Sequence, residues 1–366
     1  MRQRGAQVYP IVELAIERSC PLEIGQHRRY GQVARAVIGI PQQPGGSGRR
    51  RVWVDEQDEP LEIPQSLGDQ DTPPPITAGL LTCAYYYFRD MPEPTLLTYL
   101  ERAASLYREL DDRINLGAAL TLVGHSYARQ GRFERAKAVL AEASELIERS
   151  NLPKLRMNLY QVIGISAMQT GQIAEARTYF AQLLSITRAL KSRYAARATT
   201  LLGLLEYSAG DVDRAIEIGR EAVCEARSVS GLILGLALGN LGSYLLAREN
   251  PGEARGFLEE AFAHFVAAGS RNPAELQIWA VLGGLEGRLA EAARLIGFVD
   301  AERVRTGQVR QRTEERLYRE LSRRLEAGLP AATLASLKEE GASWTMPEAI
   351  AFVWSRLLSP GSGGAH

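Results

Sequence analysis

Apolar residues recur at intervals of three and four along most of the chain beyond residue 77, the pattern of amphipathic helices. Leu116, Leu120, Val123 and Tyr127 form one stripe, and Phe133, Ala136, Val139, Leu140 and Ala143 form the next. Between them, in ARQGRFERAKAVL (residues 128–140), stands Gly131. Glycine accepts the left-handed backbone of a helix C-terminal cap, so the spacing predicts two helices broken at that residue. The hinge returns in MQTGQIAEARTYF, YSAGDVDRAIEIG and LEGRLAEAARLI.

Small residues give the period. Gly124, Gly164, Gly203, Gly242 and Ala280 follow one another at intervals of 40, 39, 39 and 38 residues. Twelve positions after each comes an alanine: Ala136, Ala176, Ala215, Ala254 and Ala292. Seven after each anchor lie Gly131, Gly171, Gly210, Glu249 and Gly287, the predicted turns. A third site, seven after the alanine, holds Ala143, Leu183, Ala222, Ala261 and Val299. Small side chains at the anchor and the alanine let the two helix axes approach closely. The third site then faces the next pair, so each pair buries both its apolar faces only by stacking on neighbours.

A degenerate unit precedes these five, at 77–116. ITAGLLTCAYYYF and LLTYLERAASLYRELDD place Ala84 and Ala103 at anchor positions, 40 residues before Gly124 and Ala143. Residues 117–300 hold the five clear repeats. Beyond Val299, AERVRTGQVRQRTEERLYRELSRRLEAGLP reads as one long charged helix with a narrow stripe of Leu317, Leu321 and Leu325, stopped by Gly328 and Pro330. Two shorter helices come next, the second opening with Thr345 and Glu348 at capping-box spacing. Residues 301–358 are therefore expected to form a C-terminal helical cap, and 359–366 a flexible tail. Residues 1–76 stand outside the period. Their stretch IPQQPGGSGRRRVWVDEQDEPLEIPQSLGDQDTPPPI is rich in Pro, Gly and charge, the composition of linker or irregular chain. RRYGQVARAVIGIP could open a DNA-binding unit, but QQPGGSG cannot form the recognition helix that would have to succeed it.

The small eighth-place residue, the alanine at the twentieth place and the small residue near the twenty-seventh resemble the tetratricopeptide repeat, here with a period of about 39 rather than its usual 34. The resemblance implies an all-α, right-handed superhelical solenoid of helix pairs whose first helices line a concave groove. LGGLEGRLAEAARLIG, the charged helix and GASWTMPEAIAF are similar to the end of the tetratricopeptide region in large bacterial regulators of the LuxR, SARP and signal-transduction-ATPase type. Those regulators usually also carry a P-loop ATPase and a DNA-binding helix-turn-helix. No GxxxxGK[ST] occurs in this chain, and no DNA-reading helix pair is evident after residue 300.

Charge and chemistry narrow the function further. Lys and Arg total 43 and Asp and Glu total 43, with a pI near 6.9. The balance lacks the long-range field of a chain built to hold nucleic acid or an anionic membrane. The three cysteines, Cys20, Cys83 and Cys224, suggest neither a disulfide framework nor a CxxC site, and a cytoplasmic location is expected. None of His27, His125, His264 and His366 pairs at metal-ligand spacing. No metal, cofactor or catalytic site is expected, and the chain reads as a non-enzyme. GHSYA (124–128) is one glycine short of a nucleophile elbow but lies where a helix interior is predicted, whereas that motif needs a strand before its serine. GLALGNLG (235–242) likewise occupies a first helix.

What remains is the groove. The repeat register projects Thr121, His125, Arg129, Asn158, Gln161, Gln169, Arg197, Thr200, Tyr207, Ser243 and Gln277 into it. The set is polar, and its two arginines suit a carboxylate or acidic peptide. The expectation is a scaffold binding a protein or peptide in a bacterial regulatory system, without direct nucleic-acid or membrane contact. The alternative is the effector-sensing fragment of a transcriptional regulator, with a small molecule as its ligand.

Overall fold

A computed structural model describes residues 51–52, 61–62 and 92–358, apart from 151, 193, 230 and 271. Two short strands, β1 (Arg51–Val52) and β2 (Leu61–Glu62), pair antiparallel within the region expected to be irregular. Everything else regular among the described residues is helical. The expectations for the rest of 1–76, for the first helix of the degenerate unit and for the tail fall outside the described residues.

The helices are α1 (Glu93–Glu109), α2 (Arg113–Arg129), α3 (Phe133–Glu148), α4 (Pro153–Gln169), α5 (Ile173–Ala189), α6 (Ala195–Ala209) and α7 (Val212–Ala226). They continue as α8 (Gly231–Ala247), α9 (Pro251–Ala267), α10 (Pro273–Leu285), α11 (Leu289–Thr306), α12 (Arg312–Gly328), α13 (Ala331–Ala342) and α14 (Met346–Phe352), ending in a π-helical turn, Val353–Leu358. The described residues divide into two compact units, one within 1–127 and 134–159, the other within 128–133 and 160–366.

In the first unit the anchor logic holds. A Cβ added to Gly124 would lie 2.6 Å from Leu140, so only glycine lets α2 approach α3 this closely. Ala136 and Ala143 are wholly buried, as is Ala103 of the expected degenerate repeat. Arg108 on α1 reaches Glu142 on α3 at 2.6 Å.

The second unit repeats the device. Gly164 meets Phe180, and Gly242 meets Leu258, each with no room for a Cβ. Ala176, Ala215, Ala254 and Ala292 are fully buried. The turn glycines 131, 171, 210 and 287 have φ of 75°, 80°, 98° and 79°, the left-handed region that glycine enters without a Cβ penalty. Glu249 stands in the same register and takes φ 55°, so the fold imposes the turn even on a residue with a side chain.

The C-terminal segment departs from the expected single charged helix. Helix α11 runs through Val299 to Thr306, and Gly307, at φ 68°, turns the chain out of it. Residues 308–311 are irregular, and α12 starts at Arg312. Gly328 and Pro330 end it as expected. Helix α13 crosses α11 where Gly297 faces the Lys338 carbonyl and Gly341 faces the Arg294 carbonyl, backbone against backbone. Beyond it, the carboxylate of Glu348 accepts from the Thr345 N–H at 2.7 Å and from its hydroxyl at 2.8 Å. Those bonds hold the carboxyl of Glu348 below its ordinary value. The final turn packs back on the repeats, with Trp354 5.4 Å from Phe262 between ring centroids.

Candidate binding face

The eleven residues projected into the groove divide between the units. In the first unit, Thr121 is buried and its hydroxyl donates 2.9 Å to the Gly117 carbonyl. His125 is half-buried and Asn158 is exposed. The second unit holds Arg129, Gln161, Gln169, Arg197, Thr200, Tyr207, Ser243 and Gln277. Thr200 is buried and donates to Ala196 O at 2.7 Å. Ser243, half-buried, donates to Gly239 O at 2.9 Å. These three hydroxyls satisfy their own helices, a use of Ser and Thr that register alone does not reveal. Gln161 and Arg197 are half-buried.

The other four meet the C-terminal segment. The Val309 N–H donates to the Arg129 carbonyl at 3.1 Å, and the Val309 side chain covers Gly131. The Arg312 N–H donates to Gln169 Oε1 at 2.7 Å. Gln277 is buried, with Nε2 donating to the Glu314 carbonyl at 2.9 Å and Oε1 accepting from Arg310 Nε at 2.8 Å. The guanidinium of Arg316 lies 5.9 Å from the Tyr207 ring centroid. Tyr207 and Gln277 are therefore covered, where the sequence register had left them open to a ligand. Helix α12 lies against α6, α8 and α10, the first helices of three successive repeats.

A polar cluster fixes the start of this segment. Asp300 accepts from Arg310 at 2.7 Å, pairs with Lys338 at 3.1 Å and accepts from the Tyr318 hydroxyl at 3.4 Å. Arg310 also stacks 3.5 Å above the Tyr318 ring, a cation–π contact. Arg303 is buried, donating to Glu314 at 2.7 Å and to Val309 O at 3.2 Å. Burial lowers the Arg303 guanidinium from its ordinary value while Glu314 pulls the other way. The group stays cationic nonetheless. Burial likewise pushes the Tyr207 phenol up to about 12 against the opposing charge of Arg316, so it is a neutral phenol near neutral pH. Helix α12 itself is held by Leu317, Leu321 and Leu325, with Leu321 seated over Gly284. Arg324 at its far end pairs with Glu249.

The sequence named the leucine stripe but not what it packs against. Its middle leucine, Leu321, sits where Gly284 has no side chain, which apolar periodicity does not report.

The near-elbow serine does not sit on a strand-to-helix turn. Ser126 lies inside α2, fully buried, its hydroxyl donating 2.9 Å to Glu93. GLALGNLG lies inside α8, where Gly235 and Gly239 pack against Phe265. Among the described residues no group of three or more His, Cys, Asp or Glu could hold a metal ion, and no helix is long and apolar enough to cross a membrane.

A family model for the tetratricopeptide repeat matches residues 118–149 and 158–190. The chain carries tetratricopeptide repeats, as its spacing predicts. No curated protein matches it. Among solved structures, a Rap protein complexed with competence and sporulation factor is 16% identical, with 67% of this chain and 72% of that one covered and a TM-score of 0.46. A signal-transduction ATPase with a tetratricopeptide-repeat sensor from Pyrococcus horikoshii is 14% identical, at TM-score 0.47. It matches over 74% of this chain and 44% of its own length, so this chain spans less than half of that protein. The apo form of RapI is 12% identical over 87% of this chain and 97% of its own, at TM-score 0.45.

Proposed function

We propose that this chain is a non-enzymatic tetratricopeptide-repeat scaffold that binds a protein or peptide segment on the face formed by its first helices, within a bacterial regulatory system. One observation carries the reading: in the second unit that face already holds a stretch of polypeptide. The contacts reach its main chain at three points, the Val309 N–H, the Arg312 N–H and the Glu314 carbonyl. Main-chain bonds hold a segment largely independently of its sequence, while side-chain sites such as Gly284 and Glu249 supply selectivity. The buried, hydrogen-bonded Ser126 supports the non-enzymatic part of the reading.

The test is affinity capture on the immobilised full chain, beside Arg197→Glu and Asn158→Arg variants. Arg197 and Asn158 stand on first helices in different units. Recovery of a captured protein should change by about tenfold in at least one variant, as the gain or loss of one or two charge-assisted contacts would give. Equal recovery on both variants and the unsubstituted chain would remove the first-helix face as the binding surface.

A further inference from the structure

We infer that the first-helix face of the second unit is a docking site for an arginine-rich amphipathic helix, and that residues 307–328 occupy it as a tethered stand-in which such a partner displaces. The inference rests on the reading of the first-helix face as a binding surface and specifies its ligand.

The occupant defines the chemistry. Helix α12 presents leucines at i, i+4 and i+8 and meets the face with an arginine in the lead-in before it and two along it. Arg310, in the lead-in, is received by Gln277 of α10 and by Asp300 of α11, Arg316 approaches the Tyr207 ring of α6, and Arg324 is received by Glu249 in the turn after α8. An acid is accepted at one place, where Glu314 meets Arg303. A partner that replaces α12 therefore needs an extended lead-in carrying an arginine, a leucine to seat over Gly284, and a further arginine about one turn beyond it.

The stand-in is separable from the stack. Only Leu317, Leu321 and Leu325 of its 17 residues are buried, whereas α8 buries ten of 17. Its neighbours in sequence hold on independently of it. The close crossing of α11 and α13 at Gly297 and Gly341 anchors both ends of the 307–330 segment. Trp354 on Phe262, and Leu357 against Gly283, fix the last turn of the chain beyond α14. Helix α12 can thus leave the face and remain tied at two fixed points. A tethered occupant competes at high effective concentration, so an outside helix binds with an affinity reduced by the fraction of molecules in which α12 is off.

The probe is a fluorescein-labelled synthetic peptide of residues 307–328, titrated by anisotropy onto the full chain. Leu321→Asp removes the middle leucine of the stand-in and leaves the face intact. This variant should bind the peptide at least about tenfold more tightly than the unsubstituted chain. Adding Gly284→Leu, which fills the seat, should abolish the gain. Equal affinity of Leu321→Asp and the unsubstituted chain overturns the inference. So does a Leu321→Asp dimer, seen by light scattering, that takes up no peptide, because a second copy would then be the occupant. If Leu321→Asp does not fold, Arg324→Glu sets like charges at Glu249 and should give at least about a threefold gain; no gain overturns the inference. Hydrogen exchange on the unsubstituted chain gives an independent reading. Amides of 312–328 should exchange at least about tenfold faster than those of 231–247, and equal rates count against a separable helix. None of these outcomes depends on capture at Arg197 or Asn158, so the scaffold reading and the stand-in fail separately.

Discussion

Helices α8 and α12 have the same length and lie in the same unit, yet they are held in opposite ways. Helix α8 contains no charged residue and buries ten side chains or glycines on several sides. Helix α12 has nine charged residues among its 17 and buries three leucines along one line. Each buried leucine contributes about 1.5–3 kcal/mol by area removed from water, so α8 is locked into the stack and α12 is laid upon it. A helix apolar all round belongs to a core, and one with a narrow stripe belongs to an interface. The contrast explains why the segment with the highest charge density in the described chain is also the one seated on a polar face. Its Arg324 and Arg316 find Glu249 and the Tyr207 ring there, and Arg310, just before it, pairs with Asp300 of α11.

The difference breaks most sharply at Gly242. A Cβ there would penetrate the Leu258 side chain across the α8–α9 contact. Gly242→Ala should lower the stability of the whole second unit by about 1–3 kcal/mol, the usual cost of overpacking a filled core, despite alanine's better helix propensity. Urea denaturation followed by circular dichroism measures it. An unchanged midpoint would mean that α8 is no more tightly held than α12.

Leu325→Ala sharpens the other side. In a rigid core, truncating a buried leucine costs about 2–5 kcal/mol. In a helix that can lift away, the cost to global unfolding cannot exceed the free energy that docks the helix, because beyond that point the protein unfolds with α12 already released. Leu325→Ala should therefore move the urea midpoint by less than Gly242→Ala does, with faster amide exchange confined to 312–328. A midpoint loss larger than that of Gly242→Ala would place α12 in the core.

How far the sequence could reveal this depends on what kind of constraint each residue obeys. Gly124, Gly164 and Gly242 were legible because each sits at a fixed distance from an alanine in its own repeat, and the structure puts all three against bulky side chains. The turn glycines were legible for the same reason, and even Glu249 conforms to them. The hydroxyls of Thr121, Thr200 and Ser243 were placed by register in the groove but bond to carbonyls of their own helices. Register assigns a helix face, whereas a hydroxyl chooses its local acceptor. The break at Gly307 carries the same left-handed glycine as the repeat turns but lies outside their period, and the return of α12 over Gln277 could not be read because it depends on contacts between segments far apart in sequence. Only the leucine stripe hinted that α12 needed a surface. The glycine crossing of α11 and α13 was similarly silent, since Gly297 and Gly341 belong to no common period.

In one repeat the residue facing the anchor is itself a glycine, and this yields the smallest effect. Sixteen residues after each anchor stand Leu140, Phe180, Gly219, Leu258 and Ile296. Three of these are the bulky side chains that force glycine at Gly124, Gly164 and Gly242. In the third repeat the corresponding residue is Gly219, so the space over Gly203 is open enough for a methyl group. A Cβ at Gly203 would have Ile218 as its nearest contact, at 3.4 Å, with the Tyr244 hydroxyl at 3.5 Å. These are ordinary van der Waals distances. Gly203 lies inside α6, away from its ends, where alanine gains up to about 1 kcal/mol over glycine. Gly203→Ala should thus raise the urea midpoint slightly, opposite in sign to Gly242→Ala at the same register position. A loss of stability at Gly203 would mean that closeness of the helix axes, rather than the side chain facing the anchor, is what demands glycine throughout the stack.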